Sequence, residues 1–371
     1  MKVIQLIPEM ESGGVERGTL ELARHLVGQG HESIVISGGG RLVAALESGG
    51  TRHITLPVGR KRLSSLLLVQ QLRRLLEREK PDILHLRSRV PAWLAYLAWR
   101  KTDPETRPRL VTTVHGFYSV NGWSEVMTRG ERVICVSDSI REYVLKNYPQ
   151  TPPEKLRVIH RGIDPVDYPY GYRPTAEWQA SFEREFPAVT GKRLITLPGR
   201  ITRLKGHEDF AAILKNLSAD ASIHGLIAGG AHPKKAAYLE EIRRLFASAG
   251  LAGRVTFTGA RSDLKEILAI SSVVLSLTTQ PESFGRTTIE ALGLGIPVAG
   301  YDHGGVGEQL ALLYPAGCIP PHDTDAATRV IRGLLADPPP VPSRHPFTLA
   351  AMLEGTLEVY RELLASPVSI N

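Results

Sequence analysis

At 371 residues the chain is too long for one ordinary hydrophobic core, so its length alone implies two domains. A composition of 42% hydrophobic and 22% charged residues excludes a disordered or fibrous protein. The formal charge of +7 is uneven, with 27 Lys/Arg against 21 Asp/Glu in residues 1–185 and 18 against 17 in 186–371; this bias suits phosphates, acidic lipids or nucleic acid alike, and scattered surface cations equally well.

The opening "MKVIQLIPEM" has one lysine and a brief apolar run without a cleavage site, so it reads as a first strand and the expected location is the cytoplasm. No stretch approaches the roughly 18 to 20 apolar residues of a bilayer span; the longest is around "AWLAYLAW". Cys135 and Cys318 lie in apolar stretches with no partner spacing, as buried thiols would, and zinc is not indicated.

In chain order, "KVIQLIP" (2–8), "ESIVIS" (32–37), "DILHLR" (82–87), "RLVTTVH" (109–115), "RVICVS" (132–137) and "LRVIHRG" (156–162) are predicted strands. Between them "GVERGTLELARHLVGQG" and "SSLLLVQQLRRLLEREK" carry apolar residues at helical spacing. The Pro- and Tyr-rich "DPVDYPYGYRPTAEW" (164–178) interrupts the series. It then restarts with strands at 193–199, 222–229, 254–259, 272–277 and 296–301, helices such as "AYLEEIRRLFASAG" between them, and a closing helix in "FTLAAMLEGTLEVYRELLAS". Strand–helix alternation implies parallel, doubly wound sheets. The predicted fold is α/β, two Rossmann-like domains facing across a cleft: residues 1–170, residues 171–345, and a helix in 346–371 returning toward the first domain.

The chemistry concentrates in "TTQPESFGRTTIEALGLG". It reads as a loop at a strand's carboxyl end followed by a helix that Gly293 or Gly295 closes. A helix start there offers free N–H groups and a positive dipole end to a phosphate, and Gly285 permits close backbone approach. Glu282 would precede the helix within reach of a hydroxylated group, and Glu290 would sit a turn in, able to accept from two vicinal hydroxyls. A ribose beside a diphosphate has that pattern. A capping box of Thr287 with Glu290 is the plainer alternative.

"LPGRITRLKGHEDF" puts Arg200 and Lys205 on one loop, a planar fork and a point charge for a leaving diphosphate, or two ordinary surface cations. Gly13 and Gly14 lie between a strand and a helix, where backbone passes close to a ligand or simply turns. No G-x-G-x-x-G or P-loop signature occurs, which disfavours dehydrogenase and ATPase chemistry. His115 falls just past a strand end, and "LHLRSR" adds His85, Arg87 and Arg89 at another, to meet an anionic acceptor or solvent.

Together these stretches, with "VICVSDSIREYV", "VIHRGID", "GLIAGG", "VTFTGARSDL" and "PESFGRTTIEALGLGIPVAGYDHGGVGE", resemble the family 4 glycosyltransferases of the GT-B fold over nearly the whole chain. The Glu282–Glu290 spacing around a Ser-Phe-Gly turn is the most specific part. The resemblance implies that Glu290 holds the ribose, and that Glu282, Ser283, Phe284 and Gly285 contact the donor sugar. It implies that Arg200, Lys205, Gly13 and Gly14 serve the diphosphate with the helix starting at Arg286 and Thr287, and that Arg261 lies near the base. His115 would meet the reacting sugar, with Glu16, Arg87 and Arg89 on the acceptor side. Arg161, where many relatives have Asn, and "YPYGYRP" depart from the pattern and bear on domain geometry.

The implied reaction is sugar transfer with retention from a nucleoside diphosphate sugar, UDP-linked before GDP-mannose, with no metal or other cofactor. The expected acceptor is a lipopolysaccharide core or other lipid-linked glycan at the cytoplasmic face of an anionic inner membrane. A nucleotide-sugar epimerase or hydrolase on the same architecture is the alternative. A nucleic-acid partner is not expected, since no recognised module or stacked-aromatic pattern is visible.

Overall fold

The computed structural model describes residues 1–11, 13–60, 66–231 and 236–366. It divides into two compact units, one of Met1–His160 with the segment from Ala350 onward, the other of Arg161–Leu349. The first runs β1 (Lys2–Leu6), α1 (Gly14–Gly28), β2 (Glu32–Ser37), α2 (Val43–Ser48), β3 (Arg52–Thr55), α3 (Leu66–Glu79), β4 (Ile83–Leu86), α4 (Arg89–Trp99), β5 (Arg109–Val114), β6 (Arg132–Cys135), α5 (Asp138–Asn147) and β7 (Leu156–Val158). Residues 64 and 65 of the expected third helix lie outside the described residues. The second runs α6 (Ala176–Glu185), β8 (Arg193–Pro198), α7 (His207–Asn216), β9 (Ile223–Ala228), α8 (Ala236–Ser248), β10 (Val255–Phe257), α9 (Leu264–Ala269), β11 (Val273–Ser276), α10 (Arg286–Gly293), β12 (Val298–Tyr301), α11 (Gly304–Leu313), β13 (Cys318–Ile319) and α12 (Thr324–Ala336). Helix α13 (Leu349–Ala365) ends the described chain.

Both sheets are wholly parallel. The first has the order β3-β2-β1-β4-β5-β6-β7 and the second β10-β9-β8-β11-β12-β13. β4 and β5 are buried at every position, and the polar side chains they carry are paired, His85 with Thr113 at 2.6 Å and Thr112 with the Met127 carbonyl at 2.7 Å. In each sheet the strand order reverses once, between β1 and β4 and between β8 and β11, so a crevice opens at the carboxyl ends of those strands. The loops after β8 and β11 therefore meet at the switch point of the second unit.

Three differences from the sequence expectations have local causes. β3 and β13 are short edge strands without the unbroken apolar run of a central strand, and neither was predicted. Helix α6 begins inside the Pro/Tyr-rich stretch because the Thr175 hydroxyl accepts from the Trp178 N–H and caps it. The division falls at 160/161 rather than 170/171. Ile163 donates to the Phe347 carbonyl at 3.1 Å and accepts from Leu349 N–H at 2.7 Å, while Gly171 N–H donates to Leu294 at 3.0 Å, so this segment belongs to the second unit.

Helix α13 lies in the first unit. Buried Tyr360 places its hydroxyl 2.6 Å from His85 Nδ1, and His85 Nε2 lies 2.6 Å from Thr113 Oγ1. Arg132 donates to Glu362 at 2.6 Å, and Arg109 donates to the Leu363 carbonyl at 2.6 Å. Both cysteines are unbridged; burial pushes the Cys135 thiol up to about 12. Among the described residues no helix is long and apolar enough to cross a membrane.

Candidate active site

Beyond β8 the chain turns through Gly199, whose φ of +126° favours glycine and whose missing Cβ leaves room for the Lys205 side chain. A short 3-10 turn, Arg203–Lys205, leads to Gly206 in the left-handed conformation, and α7 follows. A Cβ on Gly206 would lie 2.0 Å from the Leu277 carbonyl oxygen. Thr279 N–H donates to the Leu204 carbonyl at 2.9 Å, lacing the loop after β8 to the loop after β11. This contact carries Lys205 Nζ to the Glu282 carboxylate, with which it forms an ion pair. Arg200 is exposed and forms no ion pair with the described residues.

On the other side Gly285, left-handed at φ +83°, is the N-cap of α10. Thr287 is therefore the second helical residue, and the capping-box alternative does not apply. The Thr288 N–H donates to the Gly285 carbonyl at 3.1 Å, and the first turn puts the positive dipole end of α10 at the switch point. Glu290 sits in the second turn, only 6% exposed, with Arg286 Nε 3.8 Å from its carboxylate. Gly295, not Gly293, closes the helix: its N–H donates to Leu292 at 2.9 Å and Ile296 N–H to Ala291 at 3.0 Å, a Schellman arrangement.

The Glu282–Gly285 turn is held from behind by the start of α11. His303 Nε2 donates to the Thr278 carbonyl at 2.8 Å, Gly305 N–H to the Glu282 carbonyl at 2.8 Å, and the wholly buried Gln309 amide to the Phe284 carbonyl. A Cβ on Gly305 would lie 2.5 Å from Phe284 Cα, so that glycine lets two backbones touch. Phe284 itself is buried edge-on to Phe347, centroids 5.7 Å apart. Sequence reasoning singled out the Gly-Gly as a family mark but missed the clamp of His303 and Gln309. An amide side chain within an otherwise apolar helical face was the available signal for the latter.

The remaining candidates stand apart. The Arg261 guanidinium is bound to Asp263 at 2.7 Å and Glu185 at 2.8 Å, which raise its pKa, and it does not join Arg200 and Lys205. The backbone beside it does adjoin them, since Ala260 packs on Gly230, whose carbonyl accepts from Ile201 N–H at 3.0 Å. In the first unit Gly13, at φ +150°, is the N-cap of α1, Gly14 is its first residue, and Glu16 folds back over Gly13. Arg87, at the β1/β4 switch point, is buried rather than solvated: it donates to Gln5 Oε1 at 3.1 Å, and desolvation lowers its pKa to about 10. Arg89 opens α4, donating to Ser124 Oγ at 3.1 Å. His115 follows β5, its N–H donating to the Tyr118 hydroxyl at 3.1 Å.

His207, the first residue of α7, and His224 in β9 are buried, and desolvation pushes each down to about 4. Their ordinary pKa is near 6.5, so between about pH 6.5 and 4 the unfolded chain binds protons that the folded chain refuses. Stability should be flat with respect to these groups above that window and fall as the pH drops through it. Calorimetric Tm measured against pH should show the fall, and His224→Gln should flatten it; an unchanged slope in the variant would remove His224 from the account.

Two wholly parallel Rossmann-like units, the second gathering cations, carboxylates and a helix start at its switch point, define a protein of the GT-B glycosyltransferase fold. Residues 12–167 match the model of Glycosyltransferase Family 4 and residues 179–351 that of Glycosyl transferases group 1. The chain belongs to the glycosyltransferases that join these two domains. A glycosyltransferase of Rickettsia africae ESF-5 is similar at 27% identity with a TM-score of 0.82, each chain covered to 99%. HepE of Anabaena, solved with UDP and glucose, shares the fold at 18% identity and a TM-score of 0.76, over 98% of this chain and 100% of that one. A 2-deoxystreptamine N-acetyl-D-glucosaminyltransferase of Streptomyces fradiae is 29% identical over 192 residues, 51% of this chain and 44% of the relative's length, so the match spans less than half of that protein.

Proposed function

We propose that the protein transfers a hexose-type sugar, with retention and without a metal ion, from a nucleoside diphosphate sugar to a glycan or glycolipid acceptor of the cell surface, such as a lipopolysaccharide core. The carrying observation is the pairing of Lys205 with Glu282 at the start of α10, exposed Arg200 on the same loop as Lys205 and buried Glu290 behind. HepE, of the same fold, was solved with UDP, which supports a UDP-linked donor before GDP-mannose.

In this reading the diphosphate displaces the Glu282 carboxylate from Lys205 and takes Arg200 and the α10 amides as well. Glu282 turns to the sugar hydroxyls, and Glu290 accepts from the ribose. As the bond from anomeric carbon to phosphate oxygen lengthens, negative charge grows on the leaving diphosphate, where fixed cations and amide dipoles already point. A phosphate oxygen takes the proton of the attacking hydroxyl on the same face, and Glu282 favours the positive charge developing on the sugar. His115 of the first unit meets the reacting sugar, Glu16 and Arg89 serve the acceptor, and the basic excess there suits an anionic membrane surface.

Thermal shift with UDP, GDP and their sugar conjugates tests the donor site. UDP should raise the wild-type Tm, and Glu290→Ala should weaken binding about ten- to a hundred-fold through loss of charge-assisted hydrogen bonds. Transfer should persist in EDTA. Failure of every nucleotide to stabilise the wild type would refute the assignment.

A further inference from the structure

The loop between β5 and β6 displays a tryptophan in an uncommon way. Trp123 is 46% exposed, yet it is rigidly backed. Trp93 of α4 stacks on it with centroids 5.7 Å apart and planes at 30°, and the Trp93 indole donates to the Trp123 carbonyl at 2.7 Å. The next residue, Ser124, is buried; its N–H donates to Asn121 Oδ1 at 2.9 Å, and its hydroxyl accepts from Arg89. Arg89 in turn lies 4.6 Å from the Tyr118 ring centroid, and the Tyr118 hydroxyl accepts from His115 N–H. One connected set of contacts thus ties Trp123 and His115 of this loop to Arg89 at the start of α4. The Trp123 indole N–H has no acceptor among the described residues.

We propose that the open face of Trp123 is a stacking platform for a pyranose ring of the acceptor glycan, an inference that rests on the glycosyl-transfer reading above. A pyranose presents a face of axial C–H groups, apolar enough to gain by leaving water, and a rim of hydroxyls. An indole matches both, with a broad π face for the C–H groups and an N–H for one hydroxyl. Because Trp93 already immobilises the ring, binding costs little side-chain entropy.

A bilayer surface is the other partner such a residue could meet, and the neighbouring charges argue against it. Arg129 is bound to Glu125 at 3.0 Å and lies 5.4 Å from the Trp93 and Tyr96 centroids, while Arg89 is held by Ser124 and Tyr118. Cations that serve anionic lipid project freely from the surface, and these two do not.

The test uses the full chain with the methyl glycosides of glucose, galactose, mannose and N-acetylglucosamine, read by saturation-transfer-difference NMR. Wild type and Trp123→Phe should both saturate the axial C–H protons of at least one glycoside. Trp123→Ala should weaken that binding about three- to ten-fold, the scale of one lost aromatic contact. All three should keep the same UDP-induced thermal shift, which shows the variants folded. Equal glycoside signals in Trp123→Ala, or none in the wild type, would overturn the platform. So would loss of flotation on phosphatidylglycerol vesicles in Trp123→Ala with the glycoside signal intact. Failure of UDP and GDP to shift the wild type would instead sink the donor-site reading, whatever the glycosides do.

Discussion

Lys205→Ala should lower kcat for sugar transfer by about two to three orders of magnitude, the usual loss when one preorganised donor to a developing anion is removed. Lys205 is suited to that role by its surroundings more than by its charge. Gly199 leaves a channel for its methylenes, the left-handed turn at Gly206 fixes where its loop ends, and Glu282 holds its ammonium in place. Removal also frees Glu282, so the single variants should not add: Lys205→Ala combined with Glu282→Gln should cost less than the sum of the two, as expected for side chains in contact. Lys205→Arg should recover only part of the rate, because a planar fork cannot occupy the place of a point charge. Single-turnover kinetics with saturating UDP-sugar would separate chemistry from binding, and a kcat within a few-fold of wild type in Lys205→Ala would remove the lysine from the mechanism.

Much of this site was legible in the sequence because backbone conformation is written in glycine. The Ser-Phe-Gly turn announced a helix start, and Gly285 is indeed its left-handed N-cap. The parallel sheets were legible because short apolar and β-branched runs, as in β4 and β5, alternate with stretches of helical spacing. Edge strands β3 and β13 are short and show no such run, and were missed. Arg261 shows the limit for side chains: its place after a strand was readable, but its capture by Glu185, 76 residues earlier in the chain, depends on how α6 packs. Gln309 illustrates the same point in reverse, since its partner, the Phe284 carbonyl, is defined only once α11 lies against the loop after β11. Arg87 was expected to meet solvent or an anion, and the packing of α1 and α13 against the first sheet buries it instead.

The second large effect is on the fold of the site. Gly206→Ala should destabilise the second unit by about 2–4 kcal/mol and abolish measurable transfer, by two separate costs. The residue sits at φ +69°, where a Cβ is strained in any surroundings. That Cβ would also be driven to 2.0 Å from the Leu277 carbonyl oxygen, a backbone atom that cannot rotate away. Relief requires the loops after β8 and β11 to separate, which breaks the Thr279-to-Leu204 hydrogen bond and draws Lys205 off Glu282. Activity should therefore fall further than stability explains, and a nucleoside diphosphate should no longer shift the Tm of the variant even where it remains folded. Gly250→Ala provides the control: its φ of +77° carries the same conformational strain, yet nothing lies within 4 Å of the added Cβ. That variant should lose only about 1 kcal/mol and keep its nucleotide response. If the two glycine variants behaved alike, strain alone would account for both, and the contact between the two loops would have no special part in holding the cations in place.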